Sequence, residues 1–448
     1  MPVDLAVIGG GYVGLVTAAC FAELGHNVTC AESDRAKLQS LLGGRVPIYE
    51  PGLEELVEKG RRSGRLRFVG SAAEAAADAE FVFICVQTPP GPSGAADLKY
   101  VRAAAAEIGA VLSPRSVVVN KSTMPVGSTE VVRQVCEEAG ASQVHYVSNP
   151  EFLREGSAVY DFMHPDRIVI GSDETEAAIR VSELYKALNA PLLITDAASA
   201  ELIKYASNAY LAMRISFVNS LARLCDAVGA NVSEVTLGMG YDRRIGFEFL
   251  KPGPGFGGSC FPKDTLALAA IAKEEGVDFP LLDATLETNE SQLGYVVRMI
   301  LETIGLPFPS TKVSGGGDVS DDTDTGREKK VAVFGLSFKA NTDDVRESPA
   351  LAIASELIDA GVRVVGVDPK AAEKAKAVLP TLEIEGDPAA AASGADCIAI
   401  LTEWDEFRWL DYKAIGKSMR RQAIVDARNI LDPAAMKRIG FEYRGIGR

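Results

Sequence analysis

Histidine is almost missing from this sequence: three residues (His26, His145, His164) in 448. That scarcity disfavours catalysis built on imidazoles and any His-rich metal site. Cysteine is present seven times, but the residues are scattered, odd in number and never in C-x-x-C spacing. This is the usage of reduced cytosolic thiols, neither a disulfide framework nor a zinc site, and no metal is expected. No apolar run is long enough to cross a bilayer. The chain starts directly on a strand-like Val3-Asp4-Leu5-Ala6-Val7-Ile8, without a basic leader segment, so a cytoplasmic location and no membrane partner are expected. Positive charge is also in short supply, 46 Lys and Arg against 61 Asp and Glu, a formal net charge of -15. Polyanions are repelled by such a surface at long range, which argues against a nucleic-acid partner. A small anionic ligand would need a local cluster of basic groups and backbone N–H donors.

What is there is an ordinary globular composition, 47% hydrophobic and 24% charged, over a length that suggests two or three domains. Short apolar runs at 3–8, 27–31, 81–86, 116–120, 167–170 and 192–194 alternate with helical stretches, as in βαβ units around a mostly parallel sheet. From Ala197 to Val228 the pattern is helical and uninterrupted by Pro or Gly until Gly229. It is long for a globular helix and carries no sustained heptad, so it reads as a connector between domains. A polar, acidic stretch then breaks the pattern, and a second alternating unit follows with strands at 331–334, 362–367, 397–401 and 423–425. The predicted fold is α/β: two Rossmann-like doubly wound parallel-sheet domains joined by a long central helix and a helical domain. The expected boundaries are 1–196, 197–313 with the cysteine loop, an acidic flexible linker at 314–330, and 331–448.

Gly9-x-Gly11-x-x-Gly14 follows the first strand and opens a helix. The first glycine allows the tight turn, the second lets backbone approach a pyrophosphate, and the third permits close helix–strand packing. The helix N-terminus adds N–H donors and a positive dipole. Glu32 stands at the end of the second strand, where a carboxylate would bond ribose hydroxyls and repel a 2′-phosphate, favouring NAD over NADP. Arg35 nearby keeps NADP open, and a glycine turn that merely packs a helix on a sheet is the plainer alternative.

The most specific stretch is Gly253-Pro254-Gly255-Phe256-Gly257-Gly258-Ser259-Cys260-Phe261-Pro262-Lys263-Asp264. Its glycines let backbone wrap a ligand closely. Asp264 is expected to cap a helix ending near Gly276, which would put Cys260 just before a helix N-terminus and near Lys263. Both features favour the thiolate. The other six cysteines read as small buried hydrophobes. Lys204 and Asn208, four residues apart, share one face of the long helix with Leu211 and Ile215. A lysine and an amide on an apolar stripe fit a site, and a lysine snorkelling from a helix end fits equally well.

With these residues in view, the chain resembles the UDP-glucose/GDP-mannose dehydrogenase family. The matching motifs run nearly end to end: the 9–14 turn, Pro47-Ile48-Tyr49-Glu50-Pro51-Gly52, 85–89, 121–129, Asn149-Pro150-Glu151-Phe152-Leu153-Arg154-Glu155-Gly156, 204–208, 253–264, Phe338-Lys339 through Ser348, Thr402-Glu403-Trp404 and Asp426-Ala427-Arg428. The resemblance implies NAD-dependent, four-electron oxidation of UDP-glucose to UDP-glucuronate, with the aldehyde held on Cys260 as a thiohemiacetal and then a thioester.

By position it implies that Lys204, Asn208 and Asp264 surround the reacting oxygen and that Glu151 and Thr123 order the water. The role of Asp264 in proton transfer competes with the capping reading. NAD would contact Gly9, Gly11, Tyr12, Val13, Gly14, Glu32, Thr88, Thr123, Lys263 and Arg346. The sugar nucleotide would be held by Phe152, Leu153, Glu155, Lys204, Asn208, Phe249, Lys251, Gly257, Lys339 and Arg428. The resemblance also implies at least a homodimer around the long helix, with Arg244 reaching a neighbouring subunit's substrate.

The departures are Glu32 for the commoner aspartate, Arg243 where proline or serine is usual, and the acidic stretch. The second nucleotide fold has Gly335-Leu336-Ser337-Phe338-Lys339 in place of a full glycine fingerprint, which favours a UDP moiety over a second NAD. A GDP-mannose 6-dehydrogenase, a non-catalytic nucleotide-sugar or NAD sensor, and a simple Rossmann alcohol dehydrogenase remain as alternatives.

Overall fold

The computed structural model describes residues 2–92, 94–308 and 328–448. The chain divides into two compact units, Met1–Ala209 with Lys263–Asp278, and Tyr210–Pro262 with Phe279–Arg448. The stretch expected as an acidic linker lies outside the described residues as far as 327, and its last residue, Lys330, begins a strand.

The first unit holds eight strands: β1 Asp4–Ile8, β2 Asn27–Ala31, β3 Leu66–Val69, β4 Phe81–Ile84, β5 Val117–Asn120, β6 His145–Ser148, β7 Ile168–Gly171 and β8 Leu192–Thr195. Their order in the sheet is β3-β2-β1-β4-β5-β6-β7-β8. All pairings are parallel except β6 with β7, which is antiparallel. The second unit holds β9 Lys330–Phe334, β10 Arg363–Val367, β11 Glu383–Ile384, β12 Cys397–Ile400, β13 Ala423–Asp426 and β14 Glu442–Gly445, in the order β11-β10-β9-β12-β13-β14 and wholly parallel.

The central strands β1, β4, β5, β9, β12 and β13 are mostly apolar because both faces of the sheet are covered there. Leu5, Val7, Phe81, Phe83, Val117 and Val119 point into one core, and their neighbours Ala6, Ile8, Val82, Ile84 and Val118 into another. The second sheet repeats the division, with Val331, Val333, Cys397 and Ala399 on one side and Ala332, Phe334, Ile398 and Ile400 on the other. This is the period-2 alternation of strand side chains. In each sheet the strand order reverses beside the first strand of its unit, between β1 and β4 and between β9 and β12. The ends of β1 and β9 are therefore where ligands of open α/β sheets bind.

The helix Ala197–Val228 has the predicted ends, and Gly229 follows it with φ +71°. It begins in the first unit and ends in the second. Among the described residues no helix is long and apolar enough to cross a membrane.

Candidate active site

The turn after β1 is shaped by its glycines. Gly9 has φ +106°, and a Cβ on Gly14 would lie 1.8 Å from the Gly9 carbonyl oxygen, so that position admits only glycine. A Cβ on Gly11 would meet nothing within 4 Å, which leaves the turn open there. Tyr12 and Val13 begin the helix Tyr12–Glu23, whose N-terminal dipole faces the turn. Glu32 is buried just past β2. Its carboxylate packs against Gly10, and its Oε1 accepts from Asp34 N at 2.7 Å. A dinucleotide fits these residues: a turn for the pyrophosphate, and an acid at the ribose end. Arg35, the alternative determinant for a 2′-phosphate, is exposed on the helix Arg35–Leu42. Further along the same sheet, Thr88 Oγ1 donates to the Thr123 carbonyl at 2.8 Å, so these two residues are neighbours.

Two polar side chains of the long helix, Lys204 and Asn208, are each met by a carboxylate. Lys204 Nζ lies 2.8 Å from Glu151 Oε1, with both side chains about 5% exposed or less. One turn later Asn208 Nδ2 donates to Asp264 Oδ2 at 2.6 Å, and Lys263 Nζ meets Asp264 Oδ1 at 2.5 Å. Lys204 is thus a paired, buried cation, and the snorkelling alternative falls. Burial alone would raise the Glu151 carboxyl. The charge and hydrogen bond of Lys204, the Leu153 N–H at 2.6 Å and the charge of Lys121 outweigh it and hold the group below the ordinary glutamate range. Phe152 is stacked under the Arg167 guanidinium at 3.7 Å, with Lys204 Nζ 5.5 Å from its ring centre.

Asp264 is not an N-cap. The helix runs Phe261–Glu274, so Asp264 lies in its first turn, wholly buried. The sequence placed the cap too late because a carboxylate before an apolar run is the usual signal. Here Asn208 and Lys263 take both of its oxygens. Cys260 immediately precedes Phe261, closer to the helix start than expected. It is partly exposed with its sulfur 3.5 Å from Ser259 Oγ, whereas the other six cysteines are buried. Burial pushes the Cys20, Cys85 and Cys397 thiols up to about 12 and Cys136 to about 11, which keeps them protonated.

In the second unit the cysteine loop is fixed through its backbone. A Cβ on Gly257 would lie 2.0 Å from the Glu347 carbonyl oxygen, and Gly258, with φ +81°, donates to the Arg346 carbonyl. Asn219 Oδ1 accepts from Gly253 N, Asn289 brackets Phe256 N and O, and Gln292 donates to the Gly253 carbonyl. These three amides were not singled out from sequence, because their partners lie more than thirty residues away. Arg428 joins the turn after β9 to this loop. It donates to the Phe338 and Leu401 carbonyls, and Gly253 packs against its guanidinium. Lys339 Nζ stands 5.6 Å from the Phe338 ring, Arg346 pairs with Asp344, and Phe249 packs near Phe261. Lys251 is exposed, and Arg244 is bound back onto Asp242 with its side chain 88% exposed.

Asp368, at the end of β10, has the position in the second sheet that Glu32 has in the first. It accepts from Leu336 N, Ser337 N, Ser337 Oγ and Trp404 Nε1. The N–H groups of that turn are therefore capped by the protein's own carboxylate.

Models of one family match three successive parts of the chain: its NAD binding domain at residues 3–189, its central domain at 198–291 and its UDP binding domain at 332–433. The chain belongs to the UDP-glucose/GDP-mannose dehydrogenase family. It is 45% identical to a UDP-glucose 6-dehydrogenase of Rhizobium meliloti, covering 99% of each chain. It is 44% identical to one of Bacillus subtilis, over 99% of this chain and 93% of that one. Among solved structures, a UDP-glucose dehydrogenase of Pyrobaculum islandicum matches with a TM-score of 0.89 at 41% identity, covering 100% of this chain and 98% of that one.

A family motif without a role in the sequence reading, 47–52, acquires one here. Buried Glu50 accepts from Gly156 N at 2.6 Å and Ala158 N at 2.7 Å, and the Tyr12 hydroxyl also accepts from Gly156 N. The family's 149–156 segment is thereby tied to the first helix of its NAD-binding domain. Glu155 is half-buried within it. On this segment a cavity of about 150 Å³ is lined by Lys121, Glu151, Phe152, Arg154, Arg167 and Tyr185 among others, and not by Lys204, Asn208 or Asp264.

Proposed function

We propose that this chain oxidises C6 of UDP-glucose from alcohol to carboxylate, using two NAD per sugar and Cys260 as the nucleophile. The observation that carries this reading is the pair of buried contacts Lys204–Glu151 and Asn208–Asp264 on one helix face, with Asp264 in the first turn of the helix that Cys260 precedes. Three relatives at 44–45% identity, each a UDP-glucose 6-dehydrogenase matched over nearly the full length, support UDP-glucose over GDP-mannose.

NAD supplies the hydride acceptor for each oxidation. The Cys260 thiolate adds to the C6 aldehyde, its sulfur bonding carbon while the carbonyl oxygen becomes an alkoxide and takes a proton. Lys204 and the Asn208 amide stabilise that oxygen's charge. After the second oxidation, water attacks the resulting thioester. Its proton passes to a carboxylate, Glu151 with Thr123 ordering the water or Asp264, and the C–S bond breaks to return the thiolate. Gly9, Gly11, Tyr12, Val13, Gly14, Glu32, Thr88, Thr123, Lys263 and Arg346 would hold the cofactor. Phe152, Leu153, Glu155, Phe249, Lys251, Gly257, Lys339 and Arg428 would hold the sugar nucleotide. We assign residues 1–196 to cofactor binding, 197–313 to the central domain and 331–448 to the UDP-sugar domain.

A homodimer around the long helix is part of the same reading. Tyr210, Phe217 and Leu224, spaced by seven, are each about 55% exposed along one side of it, an apolar stripe suited to a second copy. Arg244 would then serve the partner's site. The location is cytoplasmic, in keeping with seven cysteines that form no disulfide.

The deciding experiment counts NADH at completion with UDP-glucose and GDP-mannose in parallel. Two NADH per UDP-glucose and little from GDP-mannose is the expected result. One NADH per sugar would remove the role given to Cys260, and none from either would shift the reading to a sensor.

A further inference from the structure

Lys121 follows β5 with 4% of its surface exposed. Its ammonium donates to neutral oxygens, Asn149 Oδ1 at 3.1 Å, the Asn149 carbonyl at 3.4 Å and the Tyr185 hydroxyl at 3.2 Å. Tyr185 donates in turn to Asn149 Oδ1 at 2.6 Å, and Asn149 Nδ2 to the Val169 carbonyl at 2.8 Å. No carboxylate is among these acceptors. Burying an ammonium this way is costly, and an apolar side chain would pack there at less expense. The clamp closes on Asn149, two residues before Glu151, and Lys121 and Glu151 line the same cavity.

The charged and titratable groups facing Lys121 come from several elements. The Cys85 thiol is pushed up to about 12 by burial and the Tyr185 hydroxyl is raised well above its ordinary value, so both stay neutral in the working range. Lys204 on the long helix is a second cation, Arg154 and Arg167 stand around the cavity, and Glu151 is the carboxylate coupled to it. Burial lowers the Lys121 amine to about 8, opposed by the Glu151 carboxylate. An oxyanion on C6 beside Lys204 would repel the Glu151 carboxylate, and the Lys121 ammonium offsets that repulsion.

We propose that Lys121 is a positioning residue for the reaction: clamped to the backbone that carries Glu151, its ammonium supplies the second positive charge that keeps Glu151 a carboxylate beside Lys204. This inference rests on the role given to Glu151 above.

The test is kcat against pH for the full-length enzyme with UDP-glucose and NAD. Lys121→Gln keeps a hydrogen-bond donor and removes the charge; its acid limb should move up by roughly 0.5–1 pH unit, with KM for UDP-glucose within about twofold. Asn149→Asp places a carboxylate against the ammonium and should move the limb the same way, which also serves if Lys121→Gln does not fold. Tyr185→Phe loosens the clamp without changing the charge and should leave the limb in place. An unmoved limb in Lys121→Gln, or an equal movement in Tyr185→Phe, overturns the proposal; so does failure of both charge variants to fold, which makes Lys121 a structural clamp. Glu151→Gln run alongside separates the two readings. If it keeps the wild-type limb, the role of Glu151 falls first; if it loses the limb while Lys121→Gln keeps it, only the inference about Lys121 falls.

Discussion

Asn208 and Asp264 meet side chain to side chain at 2.6 Å, and the second oxygen of Asp264 faces Lys263. The carboxylate is wholly buried, so its charge depends on such contacts for compensation. Asp264→Asn preserves shape but turns an acceptor into an amide. We expect kcat to fall roughly 10²–10⁴-fold, with cofactor binding little changed. A loss confined to KM, read from steady-state kinetics, would count against a role in proton transfer.

Cys260→Ser should abolish complete turnover while NAD and UDP-glucose still bind, because the hydroxyl leaves the loop glycines and their amide partners untouched. Calorimetric titration of both ligands alongside NADH counts checks this. A variant that still makes two NADH per sugar at the wild-type rate would exclude the covalent route.

The Lys204–Glu151 pair should behave as a buried couple in a double-mutant cycle. Lys204→Met or Glu151→Gln alone leaves a buried partner uncompensated, at a cost of about 3–5 kcal/mol. The double variant should unfold at a higher denaturant concentration than the weaker single one. Strict additivity of the two losses in urea would show the pair to be uncoupled.

Glu32 should decide between the two nicotinamide dinucleotides. Glu32→Ala removes a charged acceptor for the ribose and should raise KM for NAD by roughly 10–100-fold, about 1.5–3 kcal/mol. NADP should become a usable substitute as the repulsion of its 2′-phosphate disappears. Unchanged KM for NAD would place the ribose elsewhere.

Acid should weaken the fold through Glu151. Its carboxyl is held below the ordinary range in the folded protein, so its contribution is complete above the unfolded value of about 4.3 and is lost as pH falls through that value towards the folded one. Melting temperatures of the wild type and Glu151→Gln should therefore converge as pH falls below the unfolded value of about 4.3. A constant gap over that range would mean that the carboxyl is not depressed.

Both Rossmann sheets and the long helix were legible because their signals are local. A helix without Pro or Gly until Gly229 declares its C-terminal end, and β1, β4 and β5 are built on the apolar runs 5–8, 81–84 and 117–119. The strands the sequence hid are the short or polar ones: β3, β6 with His145 at its start, the two-residue β11, and β14 with its Arg and Glu. Their strand state comes from the neighbour they pair with. The glycine turn, Cys260 and the Lys204–Asn208 face were visible from spacing. Their supports were not, because Asn219, Asn289, Gln292 and Glu50 act across long stretches of chain and carry no local pattern.

Asp368 has a consequence for how one molecule handles two equivalents of oxidant. Its carboxylate seals the second nucleotide turn from within, which leaves the turn at 9–14 as the seat for a dinucleotide. On the proposed route both acceptors must use that seat in succession. The spent cofactor has to leave and a fresh one arrive while the half-oxidised sugar waits. A thiohemiacetal link to Cys260 is what lets the sugar stay through the exchange, so the sealed turn and the reactive cysteine are two halves of one timing device.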